Sequence, residues 1–335
     1  MIRTKTQATC DAYKSRAKNI IKKYKKDNEN NPMEFIQWLR YYVSTITSRS
    51  WSTVRASLIY SLEEETEVHL DGYENSTIVY NIMNLKNLVF KDKKKSTSTS
   101  TKKYKYLPQL KYSQLQEELK NGTSKYDKIL FHWLEAIKGT GIRPSEWGTI
   151  EIMENTSSKN TEFLIRVVNG KQTNGRAHGE HRTIHLQPEE NLLYSIMHTW
   201  KHTREIYSRV GEDGYNSFYK ACKDRLLYIN SRIGCYGVKK RITLYSARHQ
   251  FSADMLGAGK SKTERAALMG HGSTSTAEIN YAKKSYARPY SGIINPSKED
   301  INNVIEWNKG KKHKKSFNQF MSSKPRISAG VSNEQ

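Results

Sequence analysis

Apolar residues recur every three to four positions in the first part of the chain, with polar residues between them. Residues 9–29 show this spacing clearly, because one stripe is apolar (Ala12, Ala17, Ile20, Ile21 and Tyr24) while lysines and arginines occupy other positions. Such a pattern is typical of an amphipathic helix. The sequence therefore opens with a predicted helix whose outer surface is strongly basic.

The same spacing predicts three more helices. The second starts at Asn31-Pro32, since proline suits the first turn of a helix, and the third has Ser50 as its N-cap. The fourth covers residues 76–90. Four helices without a strand pattern predict an all-helical domain over residues 1–90, a size that folds alone only modestly well.

The helical pattern ends in a polar stretch that we assign as a basic linker over residues 91–106. Serines and threonines alternate between lysines there, and the stretch has no apolar surface to bury. Two interpretations are open at this point. The linker can run along a nucleic-acid backbone between two domains, or it can be a disordered loop that aids solubility.

A second domain is predicted over residues 107–295, and its pattern is mixed. Helical spacing returns in residues 112–138, 190–209 and 215–230. Residues 161–186 instead alternate with a period of two on both sides of a glycine-rich turn, which predicts a β-hairpin. The chain as a whole is therefore predicted to be mainly α with a small β-sheet.

Over residues 296–335 the pattern predicts one short amphipathic helix followed by a polar tail. Ile301, Val304 and Ile305 form the apolar stripe of this helix. An apolar stripe near the end of the chain suggests docking on a neighbouring protomer. A frayed tail that makes a basic contact with DNA is the alternative.

Charge narrows the choice of partner. The 335 residues include 56 lysines and arginines against 33 aspartates and glutamates, a formal net charge of +23. Such an excess is unusual for an enzyme of small molecules and predicts a polyanionic partner, most simply nucleic acid. A generally cationic and soluble surface is the other interpretation.

Several classes of protein are disfavoured by what the sequence contains. Its three cysteines are widely spaced, which fits a reducing compartment and neither a disulfide framework nor a zinc site. No secretory signal and no run of 18 apolar residues is present, so we expect a cytoplasmic protein without a membrane span. His178, His181 and His185 have metal-like spacing, but three histidines alone in a hairpin do not predict a metal.

Residues 241–286 contain several side chains suited to catalysis within a short stretch of the sequence. Arg248, His271 and Tyr281 supply a fixed cation fork, a hydrogen-bond donor and a phenol able to attack, which together indicate phosphate chemistry. A capping box at residues 275–278 starts a new helix, so a turn allows His271 and Tyr281 to converge. Upstream, the segment TGIRPSEW places Arg143 at a helix start, from which we expect its side chain to point freely into a cleft.

These segments, in this order, resemble the tyrosine recombinase (phage-type integrase) family over about residues 10–295. TGIRPSEW is similar to the family's first arginine box, and Lys171, which follows Asn169-Gly170, is similar to the hairpin lysine. YSARH is similar to the second box and LMGH to the L-G-H element. The resemblance implies these catalytic residues: Arg143, Lys171, Tyr245, Arg248, His271 and Tyr281, with Glu146 in support.

The resemblance also implies an architecture and a reaction. The helical core-binding domain and the catalytic domain would form a C-shaped clamp on double-stranded DNA. The two arginines would stabilise the phosphate charge, Lys171 would protonate the leaving 5′-oxygen, and Tyr281 would form a covalent 3′-phosphotyrosyl bond. Strand exchange would pass through a Holliday junction in a homo-tetramer, without metal or cofactor and with possible accessory DNA-bending proteins. We expect the integrase of a mobile element in a prokaryotic cell, or in the host of a virus or plasmid.

One position departs from the family pattern. The second box usually opens with histidine, and Tyr245 occupies that place. With an ordinary pKa of about 10, a tyrosine is a poor base at neutral pH.

Tyr286 and Tyr290 are rival nucleophiles to Tyr281. Two other functions stay open, namely a catalytically silent DNA-binding protein of the same fold and a type IB topoisomerase-like activity.

Overall fold

In the computed structural model the chain is mostly helical with one small antiparallel sheet, which confirms the predicted fold class. It divides into two compact units, residues 1–98 and 99–335. No helix in the described part is long and apolar enough to cross a membrane. The structure describes these residues: 7–30, 33–64, 74–85, 103–156, 161–170, 177–236, 240–274, 284–290 and 292–322.

The first unit is helical throughout most of its described residues. Leu39, Leu58 and Ile82, from three different helices, are fully buried in one apolar core. Most of the apolar stripe predicted for the first helix joins the same core, but Ala12 is exposed. The helices are α1 (Gln7–Asn30), α2 (Phe35–Thr45), α3 (Ser48–Glu64) and α4 (Asn75–Asn84).

The start of α3 differs from the sequence prediction. Ser50 was predicted to cap this helix, and this is wrong, because the Ser50 backbone N–H donates to Thr47 Oγ1 at 3.1 Å and the helix begins at Ser48. The helix α2 begins at Phe35. Its predicted start at Asn31-Pro32 lies outside the described residues, as does most of the predicted linker 91–106.

The second unit surrounds a larger core that includes the fully buried Trp133, Trp147 and Phe251. The two helices predicted at 190–209 and 215–230 form one element, which is kinked at Gly211 (φ 65°, ψ −166°). The α-helices described in the second unit are α5 (Gln109–Asn121), α6 (Asp127–Thr140), α7 (Glu190–Arg232), α8 (Leu244–Gly257), α9 (Lys262–Leu268) and α10 (Lys298–Ser322).

The sheet has four antiparallel strands in chain order: β1 (Glu151–Thr156), β2 (Thr161–Val168), β3 (His181–Gln187) and β4 (Ile293–Pro296). The predicted hairpin is confirmed, since β2 and β3 pair with Ile165 opposite Ile184. The two edge strands were not predicted. β1 is polar and largely exposed, and β4 has only four residues, so pairing with β2 and β3 stabilises both.

The last described helix, α10, packs on α9 of the same chain. Val304 and Ile301 cover Ala266 and Ala267, whereas Ile305, predicted for the same stripe, is 39 % exposed. The helix is longer than the sequence pattern predicted. Docking of the tail on a neighbouring protomer stays a prediction.

Candidate active site

Arg143 is positioned by the end of one helix and the start of a short 3₁₀ turn. The helix α6 stops at Gly141, which has a left-handed backbone (φ 68°), and Arg143 then precedes the 3₁₀ turn Pro144–Thr149. Glu146 accepts from the Arg143 backbone N–H at 2.9 Å and from its Nη1 at 2.5 Å. We expected this guanidinium to point freely into a cleft, but it is a buried ion-pair partner, with 6 % of its side chain exposed.

Glu146 is the centre of a buried network. Its carboxylate also accepts from Arg182 Nη2 at 2.7 Å and from the backbone N–H of Gly170 at 3.0 Å. Burial alone would raise the pKa of this carboxyl, but the charges of Arg182 and Arg143 outweigh burial and hold the pKa well below its usual value. Glu146 is therefore ionised at neutral pH and fixes both arginines.

Arg182 was missed by sequence reasoning. It lies on β3, where alternate residues face the core, and it is 1 % exposed together with the buried Ile184 and Leu186. An arginine in register with two buried aliphatic residues was the available signal. Its Nη1 donates to Asn169 Oδ1 at 2.5 Å and its Nε to Leu268 O at 3.0 Å.

Arg248 comes from α8, whose start is fixed by a capping box between Thr243 and Ser246. Its side chain is fully buried. The guanidinium donates to the carbonyl oxygens of Gly141 and, at 2.6 Å, Met269. It therefore joins the end of α6 to the end of α9.

His271 follows a Schellman motif at the end of α9. Its backbone N–H donates to Ala266 O at 2.8 Å, and the Gly270 N–H donates to Ala267 O at 3.0 Å. The imidazole Nε2 lies 3.2 Å from Arg248 Nη2. Since arginine can only donate, Nε2 accepts and the neutral ring keeps its proton on Nδ1. Burial, aided by the positive charges of Arg248 and Arg143, holds the His271 pKa well below its usual value.

Gly270 allows a direct test of this geometry. Its φ is +62°, and a Cβ would lie 2.3 Å from Asn169 Oδ1 and 2.7 Å from Arg182 Nη1. We expect Gly270→Ala to lower the free energy of unfolding by about 2–4 kcal/mol, because backbone strain and steric overlap add. Chemical denaturation measures this difference.

Gly259→Ala is the matched control for that variant. Gly259 also has a left-handed backbone (φ +81°), but no atom of the described residues would lie within 4 Å of a Cβ added there. It should therefore lose only about 1 kcal/mol from backbone strain. Equal losses for the two variants would contradict the close packing of Gly270 against the arginine network.

Two predicted catalytic residues, Lys171 and Tyr281, lie outside the described residues. The chain is described up to Gly170, which is bound to Glu146, and up to Thr274 after His271.

Tyr245 is not buried with the arginines. It is 37 % exposed and borders a cavity of about 240 Å³ that is also lined by Lys103, Tyr219, Lys223 and Arg241. Within the described chain, the lining of this cavity does not include Arg143, Arg248 or His271.

The rival tyrosines have other environments. The Tyr286 ring stacks on Tyr106 with 4.0 Å between ring centroids, and its carbonyl accepts from Gln250. The Tyr290 hydroxyl donates to Gly139 O at 2.7 Å, and burial raises the pKa of this phenol. Both hydrogen bonds link these tyrosines to helices α6 and α8 rather than to Glu146.

The three hairpin histidines have separate partners. His178 lies 3.6 Å from Asp300, His181 3.7 Å from Glu180, and His185 3.4 Å from Glu162. No group of three or more histidine, cysteine or acidic side chains that could hold a metal ion occurs among the described residues.

Taken together, Arg143, Arg182 and Arg248 contribute three positive charges to one buried network, in which Glu146 supplies the carboxylate seen in the described part of the chain. His271 adds no charge at neutral pH. Guanidinium groups and a neutral imidazole are hydrogen-bond donors that match the oxygens of a phosphate group. The network is thus suited to bind an anion such as a phosphate group.

Comparison with known proteins gave matches among solved structures only. The chain is similar to the site-specific recombinase XerH bound to a palindromic difH substrate in a post-cleavage complex, with 14% identity, a TM-score of 0.44, and coverage of 73% of this chain and 67% of that chain. A pre-cleavage complex of XerH with difH substrate matches with 17% identity, a TM-score of 0.37 and coverage of 68% and 67%. No family model and no curated protein matches.

Proposed function

We propose that this chain is a site-specific DNA recombinase of the tyrosine type, which cleaves and rejoins DNA through a covalent 3′-phosphotyrosyl intermediate. The observation that supports this most is the convergence of Arg143, Arg182 and Arg248 in one buried network with Glu146 and His271. The order of motifs along the chain and the formal net charge of +23 support it further.

In the proposed reaction, the Tyr281 hydroxyl oxygen attacks phosphorus while the bond to the 5′-oxygen breaks. Negative charge develops on the non-bridging oxygens, and Arg143 and Arg248 stabilise it. The Nδ1–H of His271 supplies a further donor. Lys171 gives a proton to the leaving 5′-oxygen. The phosphotyrosine conserves the energy of the phosphodiester, so rejoining needs no ATP.

The proposed assembly is a homo-tetramer on double-stranded DNA that exchanges strands through a Holliday junction, in the service of a mobile element. Residues 1–90 would form the core-type DNA-binding domain, 91–106 the linker and 107–295 the catalytic domain. Accessory DNA-bending proteins and docking of the tail beyond residue 296 belong to the same proposal.

A catalytically silent DNA-binding protein is the second candidate. Tyr245 favours it, because it replaces the histidine of the family pattern and borders a separate cavity. A nicked duplex that contains the target site distinguishes the two functions, since loss of the short cleaved fragment traps the covalent adduct. Specific binding without adduct would favour the silent protein.

DNA binding should involve the outer face of α1. Lys14, Lys18, Lys22 and Lys25 are exposed and spaced by four, four and three residues, so they form one ridge beside the buried stripe of this helix. The ridge spans about 16 Å. Its length and charge suit a phosphate backbone.

Replacing these four lysines by glutamine should weaken duplex binding and its salt dependence together. The slope of log K against log salt should fall by about 0.9 for each lysine that neutralises a phosphate. A salt titration with any duplex measures this, because the effect does not depend on sequence. Lys23→Gln is the control, since Lys23 pairs with Asp27 at 3.1 Å. An unchanged slope in the quadruple variant would exclude α1 from the interface.

A further inference from the structure

The Arg182 side chain donates hydrogen bonds to three separate segments of the site. Its guanidinium donates to Glu146 in the 3₁₀ turn, to Asn169 at the end of β2 and to the carbonyl of Leu268 at the end of α9. These distances are 2.7, 2.5 and 3.0 Å, and the residue is 1 % exposed. Each segment adjoins one of the residues assigned a role in the proposed reaction.

The contact with Glu146 is the one that reaches the phosphate-binding group. Arg182 holds Oε2, while Oε1 accepts from Arg143 Nη1 at 2.5 Å and from the Gly170 N–H at 3.0 Å. Without Arg182, Oε2 would still accept from the Arg143 backbone N–H but would lose its charged donor. The carboxylate could then rotate, and the Arg143 fork would rotate with it.

The contact with Leu268 fixes a second segment. Leu268 is the last residue of α9, and His271 follows three residues later, just after Gly270. A Cβ on Gly270 would lie 2.7 Å from Arg182 Nη1, so this loop packs closely against the guanidinium. Three converging bonds from a single planar fork are a geometry that lysine cannot reproduce.

We propose that Arg182 is a positioning residue for DNA cleavage, which acts through Glu146 to orient Arg143 and through Leu268 to hold the loop that leads to His271. The inference rests on the proposed function. Arg182 itself does not touch the phosphate in this scheme. A misplacement of about 1 Å of the groups it orients can cost ~10²-fold in rate, while DNA affinity stays with the basic surface.

The test measures two quantities for wild type, Arg182→Gln and Arg182→Lys. One is the single-turnover rate at which the nicked duplex is cleaved, and the other is the dissociation constant of the protein–duplex complex. We expect the cleavage rate of Arg182→Gln to fall about 100-fold, with a dissociation constant within about threefold of wild type. Arg182→Lys keeps the charge but loses the fork, and it should retain an intermediate rate. Should Arg182→Gln fold poorly, Arg182→Lys gives the same comparison.

A double-variant cycle shows whether Arg182 acts through Glu146. Glu146→Gln should itself slow cleavage, and adding Arg182→Gln should then cost clearly less than about 100-fold more, since only the contact with Leu268 is left to lose. Arg166→Gln is the matched control, because Arg166 lies on the neighbouring strand β2 with 51% of its side chain exposed. It should cleave at the wild-type rate.

Three results would overturn the inference. The first is cleavage by Arg182→Gln at the wild-type rate. The second is a double variant in which the rate losses of the two single variants multiply. The third is a loss of DNA affinity that accounts for the whole loss of rate. If wild type binds the duplex but forms no adduct, the proposed function itself fails, and the role of Arg182 fails with it. Cleavage by wild type and equally by Arg182→Gln would refute only the role of Arg182.

Discussion

Replacing Tyr281 by phenylalanine should abolish the covalent protein–DNA adduct, with a loss of cleavage of at least ~10⁴-fold. The substitution removes only the hydroxyl oxygen that would attack phosphorus, and phenylalanine preserves the shape of the ring. Binding to the duplex should stay within about threefold of wild type, because affinity depends mainly on contacts of basic side chains with phosphates. Gel separation of the adduct from free protein after denaturation measures the effect.

Two matched variants make this result specific. Tyr286→Phe should cleave normally, since a phenylalanine ring can stack on Tyr106 as the tyrosine does. Tyr290→Phe loses a hydrogen bond to Gly139 O, which costs about 1 kcal/mol of stability but no chemistry. Loss of the adduct in either control, with an active Tyr281→Phe, would move the nucleophile to that position.

Arg248→Met should lower the cleavage rate by about 10³-fold, because one of the two guanidiniums that stabilise the phosphate charge is lost. The same change should reduce the free energy of unfolding by about 2–4 kcal/mol, since the carbonyls of Gly141 and Met269 lose a buried donor. Single-turnover kinetics and chemical denaturation measure the two effects separately.

Arg248→Lys is the informative companion. A lysine keeps the positive charge, but one ammonium group cannot reproduce a planar fork that reaches Gly141 O, Met269 O and His271 together. We expect a loss of about 10²-fold in rate. Cleavage at the wild-type rate by either variant would show that Arg248 has only a structural role.

The elements that the sequence predicted are those with strong local signals. The hairpin of β2 and β3 follows from alternation of apolar and polar residues on both sides of a glycine-rich turn. The edge strands β1 and β4 have no such signal, because one is polar and the other has four residues. Their conformation depends on pairing with distant strands, which periodicity cannot reveal.

The site residues also divide into those with a local sequence signal and those that depend on distant contacts. Arg143, Arg248 and His271 follow from motifs at helix ends, and the structure places Arg248 next to His271. Arg182 has no motif around it, and its role becomes visible only when β3 brings it to Glu146, 36 positions away. An arginine in a strand is usually exposed, so its residue type outweighed its register with the buried Ile184 and Leu186. Tyr245 could not be located from spacing, because exposure depends on what packs against α8.

The most direct test of the proposed function is to identify the amino acid that becomes linked to DNA. The wild-type chain is trapped on a nicked duplex containing its site, digested with protease, and the DNA-linked peptide is sequenced by mass spectrometry. The proposal predicts a phosphodiester between the 3′-phosphate and Tyr281. A linkage to Tyr245, Tyr286 or Tyr290, or specific binding with no linkage at all, would contradict it.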